Sequence, residues 1–278
     1  MHSANIIILC AIYAEAEPLI GYYNLKKSFP DFKLDTFASE DGSILLFITG
    51  TGIVRAATCV GAVCTYFSVK PSTHLINLGT CAGSQNMTGL YRINKLIDAA
   101  SGRTFYPDIL VKSDMAEAAI TTVARPVLDA DGADMLYDME AAAIYEAASV
   151  WLSPHQMTFI KMVSDRGTKE AITKEAVTEL IAGHLPKVTA LIENIGLCLC
   201  NQKSDEKLAD DIERLSEDMH CSATMAYQLR DLVAYAVATD FDYKSFFDNY
   251  YENGSCIVKD KKAAKRVIDE FKDILIGK

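Results

Sequence analysis

Short apolar runs alternate with segments of helical period through the first two-thirds of the chain. Residues 5–12 ("NIIILCAI"), 43–50 ("SILLFITG"), 73–79 ("THLINLG"), 133–137 ("ADMLY") and 156–165 ("QMTFIKMVSD") read as strands. They are short, rich in β-branched residues and bounded by glycine or polar residues. Residues 94–100 and 108–113 are weaker strand candidates. Apolar spacing of helical type starts at about Glu15 and recurs over 53–68, 140–151 and 174–199, where Pro186 predicts a break. Strands alternating with helices imply parallel pairing in a layered α/β sheet, and continuous apolar runs imply strands buried on both faces.

The pattern changes near residue 200. Beyond it the chain is charged, helical in period and without clear strands, and "NQKS" (201–204) reads as a linker. The division is therefore residues 1–200, an α/β domain, and 201–278, a small helical domain. Residues 212–238 have a helix-turn-helix cadence, with Leu215, Met219, Met225, Leu229 and Leu232 as its core and Ser222 capping the second helix. That second helix carries a single Arg beside an Asp, too few cations to grip phosphates, so packing on the core or binding a protein is the expected role.

The chain has 278 residues, half of them hydrophobic, enough for a full core, and a net charge of −10. That charge argues against nucleic acid and membrane surfaces as partners. No apolar run approaches the ~20 residues of a membrane span, and the N-terminal apolar stretch runs at once into acids, unlike a signal peptide. The eight cysteines lie mostly in apolar runs with no CxxC pair, which reads as reduced, buried thiols of a cytoplasmic protein. Zinc spacing is absent, so neither metal nor cofactor is expected.

Candidate chemistry collects at strand ends. Glu15 and Glu17 follow the first strand, Thr49-Gly50-Thr51-Gly52 the second and Gly79-Thr80-Cys81-Ala82-Gly83 the third. Asp138-Met139-Glu140 and Ser164-Asp165 follow the last two. Each alone has an ordinary reading: a turn that uses glycine's backbone freedom, or a carboxylate at a positive helix end. Their coincidence suggests a pocket, because ligands of open α/β sheets bind outside the carboxyl ends of the strands. Asp165 ends a strongly apolar strand, where desolvation would raise its pKa and suit it to donate a proton. Glu140 at a helix start suits accepting hydrogen bonds from sugar hydroxyls, and Glu15 could activate water.

These pieces resemble the nucleoside phosphorylase superfamily, and most of all its 5'-methylthioadenosine/S-adenosylhomocysteine nucleosidase branch. "ILCAIYAEAEPLI", "TGIVRAATCVGA", "INLGTCAG", "LYDMEAAAIYEAA" and "FIKMVSD" occur in family order between residue 5 and about 195. The resemblance implies a mixed, partly barrel-like central sheet surrounded by helices, and an enzyme that cleaves a purine nucleoside, possessing no cofactor. It implies Asp165 as the acid that protonates N7 of the leaving purine, with Ser164 supporting its loop. Glu140 would bind the ribose hydroxyls, Met139 would pack under the sugar, and Glu15 would hold and activate water. Thr80, after Gly79 in the turn, would touch the water or phosphate, and Ile12 and Ile53 would pack near the ligand. Lys161 stands where the nucleosidases have an Arg. A homo-oligomer is implied too, since family members commonly complete the pocket with a neighbour's residues, and the helix at 53–67 is more apolar than one buried face requires.

Departures from the family sharpen the expectation. The cationic loop of the phosphorylases is replaced after the first strand by "AIYAEAE", and Asn77 occupies an Arg position. Water is therefore the expected nucleophile, with phosphate, held by Arg55, as the alternative. The base-contacting motif is replaced by "TTVARPV" (121–127), and Arg103, Phe105, Tyr106 and Arg125 are candidate pocket residues or members of an ordinary loop. The competing functions are a nucleosidase for a 5'-modified adenosine, a phosphorylase, and a nucleoside-binding regulatory protein with little turnover.

Overall fold

The computed structural model describes residues 5–67, 69–70, 72–84, 86–127, 134–167, 172–239, 241–252, 261–275 and 277, with the backbone alone at 200–207, 238 and 251–252. Two compact units result, Met1–Leu199 and Cys200–Lys278.

The first unit is built on β1 (Ile6–Cys10), β2 (Lys26–Lys27), β3 (Thr36–Ala38), β4 (Ile44–Ile48), β5 (His74–Gly83), β6 (Leu90–Asp98), β7 (Thr104–Phe105), β8 (Ala116–Thr122), β9 (Leu136–Asp138) and β10 (Met157–Asp165). Three helices, α1 (Tyr13–Tyr22), α2 (Ile53–Tyr66) and α3 (Ala141–Ala148), lie between strands, and α4 (Lys174–Asp218) starts after β10. All ten strands form one mixed sheet.

The length of β5 explains the topology. One of its edges pairs with β10 from Leu75 to Ala82. The other edge is shared: β1 takes His74–Asn77 in parallel, and β9 takes Ala82 and Gly83 antiparallel. Because β10 also pairs with β6, β6 with β8 and β8 with β9, the five strands β5, β10, β6, β8 and β9 close into a barrel. β1, β4, β3 and β2 continue from it as an open sheet. This is the mixed, partly barrel-like architecture with flanking helices. The purely parallel pairing expected from the alternation holds for β1, β4, β5 and β10. It fails for β9 against β5 and for β6 against β10.

Side chains along β5 alternate between two cores. Leu75 and Cys81 join a cluster with Ala56, Val60 and Ile144 of α2 and α3. Ile76 and Leu78 join another with Leu19 of α1 and Ile181, Val188 and Leu191 of α4. A strand covered on both faces needs a continuous apolar run, which is why this one was plain in the sequence. β8 was not: "AEAAITT" has weak strand propensity, and pairing on both sides overrides it. Residues 108–113 form no strand. The Val111 carbonyl instead accepts from the buried Arg92 guanidinium.

Proline stands inside two helices. Pro186 does not break α4. Ile181 before it and Val188, Leu191 and Ile192 after it all bury into one cluster, which offsets the ~3 kcal/mol such a proline costs. Pro18 in α1 lacks the N–H that would reach the Ala14 carbonyl, and the Thr178 hydroxyl of α4 donates to that carbonyl at 3.1 Å instead. The helix that carries Glu15 is thereby tied to α4.

The second unit contains the end of α4, then α5 (Ala223–Ala238), α6 (Tyr243–Glu252) and α7 (Lys261–Leu275). Leu215, Met219, Leu229, Val233, Phe247, Val267, Ile268 and Phe271 form its core, with Met225 and Leu232 packed against it. Ser222 caps α5 by accepting from the Met225 N–H. The backbone is helical through 201–204, so the linker expected there is part of α4. No described helix is long and apolar enough to cross a membrane.

Candidate active site

A cleft of about 390 Å³ opens where β1, β5 and β10 end. Glu15, Thr80, Met139, Glu140, Ser164, Asp165 and Ile12 stand in its wall, with Thr51, Cys81, Val123, Pro126, Val127, Asp138, Ile172 and Val177. β9 reaches the cleft from the opposite direction. Because it runs antiparallel to β5 beside Ala82 and Gly83, its last residue, Asp138, returns toward Thr80.

Glu15 is 3% exposed and held at every lone pair. Its Oε1 accepts from the Thr80 N–H at 2.7 Å and the Thr80 hydroxyl at 3.0 Å. Its Oε2 accepts from the N–H groups of Ala11 at 2.9 Å and Ile12 at 3.3 Å. Gly79 makes this possible by space, since a Cβ there would lie 2.8 Å from Glu15 Oε1.

The acids of "YDMEAA" divide the work. Asp138 faces inward: Oδ1 accepts from the Thr122 hydroxyl at 2.6 Å, and Oδ2 accepts from the Ala141 N–H at 2.8 Å and from Lys161 Nζ at 2.7 Å. Thr122 Oγ1 accepts in turn from the Ala142 N–H at 2.9 Å. The first two amides of α3 are thus capped from outside the helix, which leaves Glu140 free. Glu140 Oε1 accepts from the Gly52 N–H at 2.8 Å, and no hydrogen bond engages Oε2 among the described residues. Gly52 has φ +99°, open to glycine and strained for other residues, so the turn after β4 exists to aim this amide. Burial raises the Glu140 carboxyl above its usual range, with Asp138 and Glu15 adding to the rise while Lys161 and the Gly52 amide oppose it.

A β-bulge places the remaining pair. In register with β5, Val163 faces Cys81 and Asp165 faces Ala82, so Ser164 is the extra residue. Such an insertion redirects side chains at a strand end. The Ser164 hydroxyl donates to Asp165 Oδ2 at 2.8 Å, and Asp165 Oδ1 accepts from the Gly167 N–H at 2.7 Å. Asp165 is only partly buried.

Three residues proposed from the resemblance lie outside the wall. Gly79 sits under Glu15, Ile53 is half-buried at the start of α2, and Lys161 is 1% exposed and paired with Asp138. Lysine lacks the span and fork of arginine, and its single ammonium is taken up by Asp138. Of the loop candidates, Arg103 pairs with Glu146, Phe105 stacks on Tyr145, and Tyr106 and Arg125 are exposed, so none lines the cleft. Val123, Pro126 and Val127 of the same "TTVARPV" segment do. Ile172 and Val177 carry no chemical signal in the sequence and were found only by the fold. Among the described residues the wall contains no lysine or arginine, and no cluster of His, Cys, Asp and Glu is arranged for a metal ion. Cys10, Cys59, Cys64 and Cys81 are buried free thiols, and burial raises all four, Cys59 and Cys64 to about 12.

No family model and no curated protein matches the chain. Solved structures share the fold, several nucleosidases among them. 5'-Methylthioadenosine nucleosidase of Arabidopsis thaliana is 16% identical with a TM-score of 0.56, over 70% of this chain and 96% of that one. The 5'-methylthioadenosine/S-adenosylhomocysteine nucleosidase of S. pneumoniae, solved with a transition-state inhibitor, is 18% identical with a TM-score of 0.54, over 68% and 97%. Futalosine hydrolase of Helicobacter pylori is 12% identical with a TM-score of 0.52, over 68% and 97%.

Proposed function

We propose that this chain hydrolyses the N-glycosidic bond of a purine nucleoside. The carrying observation is one cleft that holds Glu15 with Thr80, Glu140 with a free oxygen, and Asp165 on its bulge, without a cation in its described wall. Cleaving this bond builds positive charge on the sugar and expels a base that leaves poorly unless protonated. Glu140 accepts the ribose hydroxyls and Met139 packs under the sugar. Asp165, in its protonated form, delivers a proton to N7. Water held by Thr80 attacks the anomeric carbon as the bond to the base breaks and passes a proton to Glu15, whose longest hydrogen bond, the one from Ile12 at 3.3 Å, yields to it. Phosphate is disfavoured because carboxylates alone supply the charge of the described wall. A 5'-modified adenosine is the substrate class, in keeping with 5'-methylthioadenosine seen in the active site of the H. pylori nucleosidase of the same fold. The enzyme works as a homo-oligomer in the cytoplasm, its exposed Val54 and Tyr66 on α2 contributing to the contact.

The test is free-base release from a panel of purine nucleosides, with and without phosphate. Release without phosphate, giving a free sugar, supports the reading. A strict phosphate requirement with a sugar 1-phosphate product overturns it and makes Arg55 the candidate anion ligand. A second reading is favoured by Glu15 itself, whose four hydrogen bonds leave no lone pair for water: a nucleoside-binding protein with little turnover. Tight calorimetric binding without base release would establish it. Light scattering that finds only a 30.5 kDa species at micromolar concentration would remove the oligomer.

A further inference from the structure

Lys161 is among the most deeply buried large side chains of the molecule, at 1% exposure. Its ammonium lies 2.7 Å from Asp138 Oδ2, with side-chain exposures of 2% and 0% for the two partners. The groups that feel its charge come from five elements: Asp138 of β9, Glu140 at the start of α3, Glu15 of α1, and the thiols of Cys10 at the end of β1 and Cys81 within β5. One cation therefore serves three carboxylates, all of which stand in the cleft wall without another cation among the described residues. A carboxylate removed from water reverts to its neutral acid unless charge or hydrogen bonds hold it.

We propose that Lys161 is a positioning residue, the internal counter-ion that keeps Glu140 anionic in a buried wall, acting through Asp138 and through space and never touching the substrate. Its geometry admits no other role toward a ligand, because the ammonium is sealed and already committed to Asp138. The pair with Asp138 also fixes the joint between β9 and α3, since Asp138 Oδ2 holds the Ala141 amide as well. The placement of Glu140 and its charge thus depend on one buried ion pair. Burial pulls the Lys161 ammonium down, but Asp138, Glu140 and Glu15 outweigh it and hold it above the ordinary lysine range.

The consequence for catalysis rests on the nucleosidase reading, so the decisive measurement is made without turnover. Carboxyl-carbon NMR of the full chain, with the Glu140 signal identified by its loss in Glu140→Gln, follows the titration of Glu140 in the native protein and two variants. Lys161→Met, close in length and uncharged, moves the midpoint up by about one pH unit or more. Asp138→Asn, which frees the lysine charge, moves it down. The acid limb of kcat/KM for base release moves with the same signs. A pair that served packing alone would change stability and leave both midpoints in place, and that result overturns the proposal. If Lys161→Met does not fold, the neutral pair Lys161→Met/Asp138→Asn replaces it, since removing both buried charges is often tolerated. It differs from Asp138→Asn only at Lys161, so its midpoint is expected above that of Asp138→Asn, and equal midpoints in the two overturn the proposal. A native protein that releases no base from any nucleoside removes the functional reading while the NMR midpoints still decide the counter-ion.

Discussion

The two ends of β5 bury polar groups by opposite means. At its start His74 is 6% exposed, and its Nε2 shares a 2.9 Å hydrogen bond with the Thr158 hydroxyl of β10. Nearby, the Gln156 side chain donates to the Thr73 carbonyl at 2.9 Å. His74, Thr158 and Gln156 are neutral there: burial, then Arg92 and His155, lower the imidazole to about 3. At its finish stand Glu15, Asp138 and Glu140, also buried, with Lys161 as counter-ion. Neutral hydrogen bonds satisfy buried groups at small cost, whereas buried charges need a partner and remain expensive. A protein that solves one end cheaply and the other dearly has a use for the charge, which is why perturbed acids gather at functional sites.

The contrast breaks most visibly at Asp165. Asp165→Asn keeps the hydrogen bond from the Gly167 amide but removes the transferable proton, so base release should fall by ~10²–10⁴-fold. Nucleoside binding should weaken far less, because Glu140 and the Gly52 turn are intact. A nucleoside whose base leaves without protonation should lose much less, and equal losses on both would make Asp165 a ligand-orienting group instead.

Gly79→Ala presses a methyl against a carboxylate pinned by four hydrogen bonds. Overpacking of this kind costs about 1–3 kcal/mol, and base release should drop beyond what the lost stability explains. Urea unfolding run beside the activity assay separates the two, and a variant with native activity would show that Glu15 can move without consequence.

At the neutral end the signature is pH. Unfolded, His74 titrates near 6.5; folded, it stays neutral to about 3. Between those values the unfolded chain binds the extra proton, so the stability His74 provides is complete above 6.5 and is lost as pH falls. From pH 6.5 to 5 the loss should reach about 1.7 kcal/mol, the slope climbing toward 1.36 kcal/mol per unit below 6.5. Urea melts at both pH values should show it in the native chain and not in His74→Gln; an equal slope in both assigns it to other groups.

The smallest effect is that of Thr158→Val. It removes the partner of His74 and should cost about 1 kcal/mol. Base release should be unchanged, and a loss of activity would show that the two ends of β5 are coupled.

The features legible along the chain are local in character. Apolar runs marked β1, β4, β5 and β10 because strands covered on both faces must be apolar throughout. Acids and glycines at their ends marked Glu15, Thr80, Glu140 and Asp165 as a group, because nothing in a plain core calls for them there. The tertiary structure alone decided the partners. It turned β9 antiparallel to β5, made a strand of the alanine-rich β8, and carried α4 through Pro186. Neighbouring acids of one motif went to different tasks, Asp138 to Lys161 and the α3 amides, Glu140 to the cleft. Each of these depends on which distant segment supplies a hydrogen bond or a charge, and spacing along the chain carries no record of that.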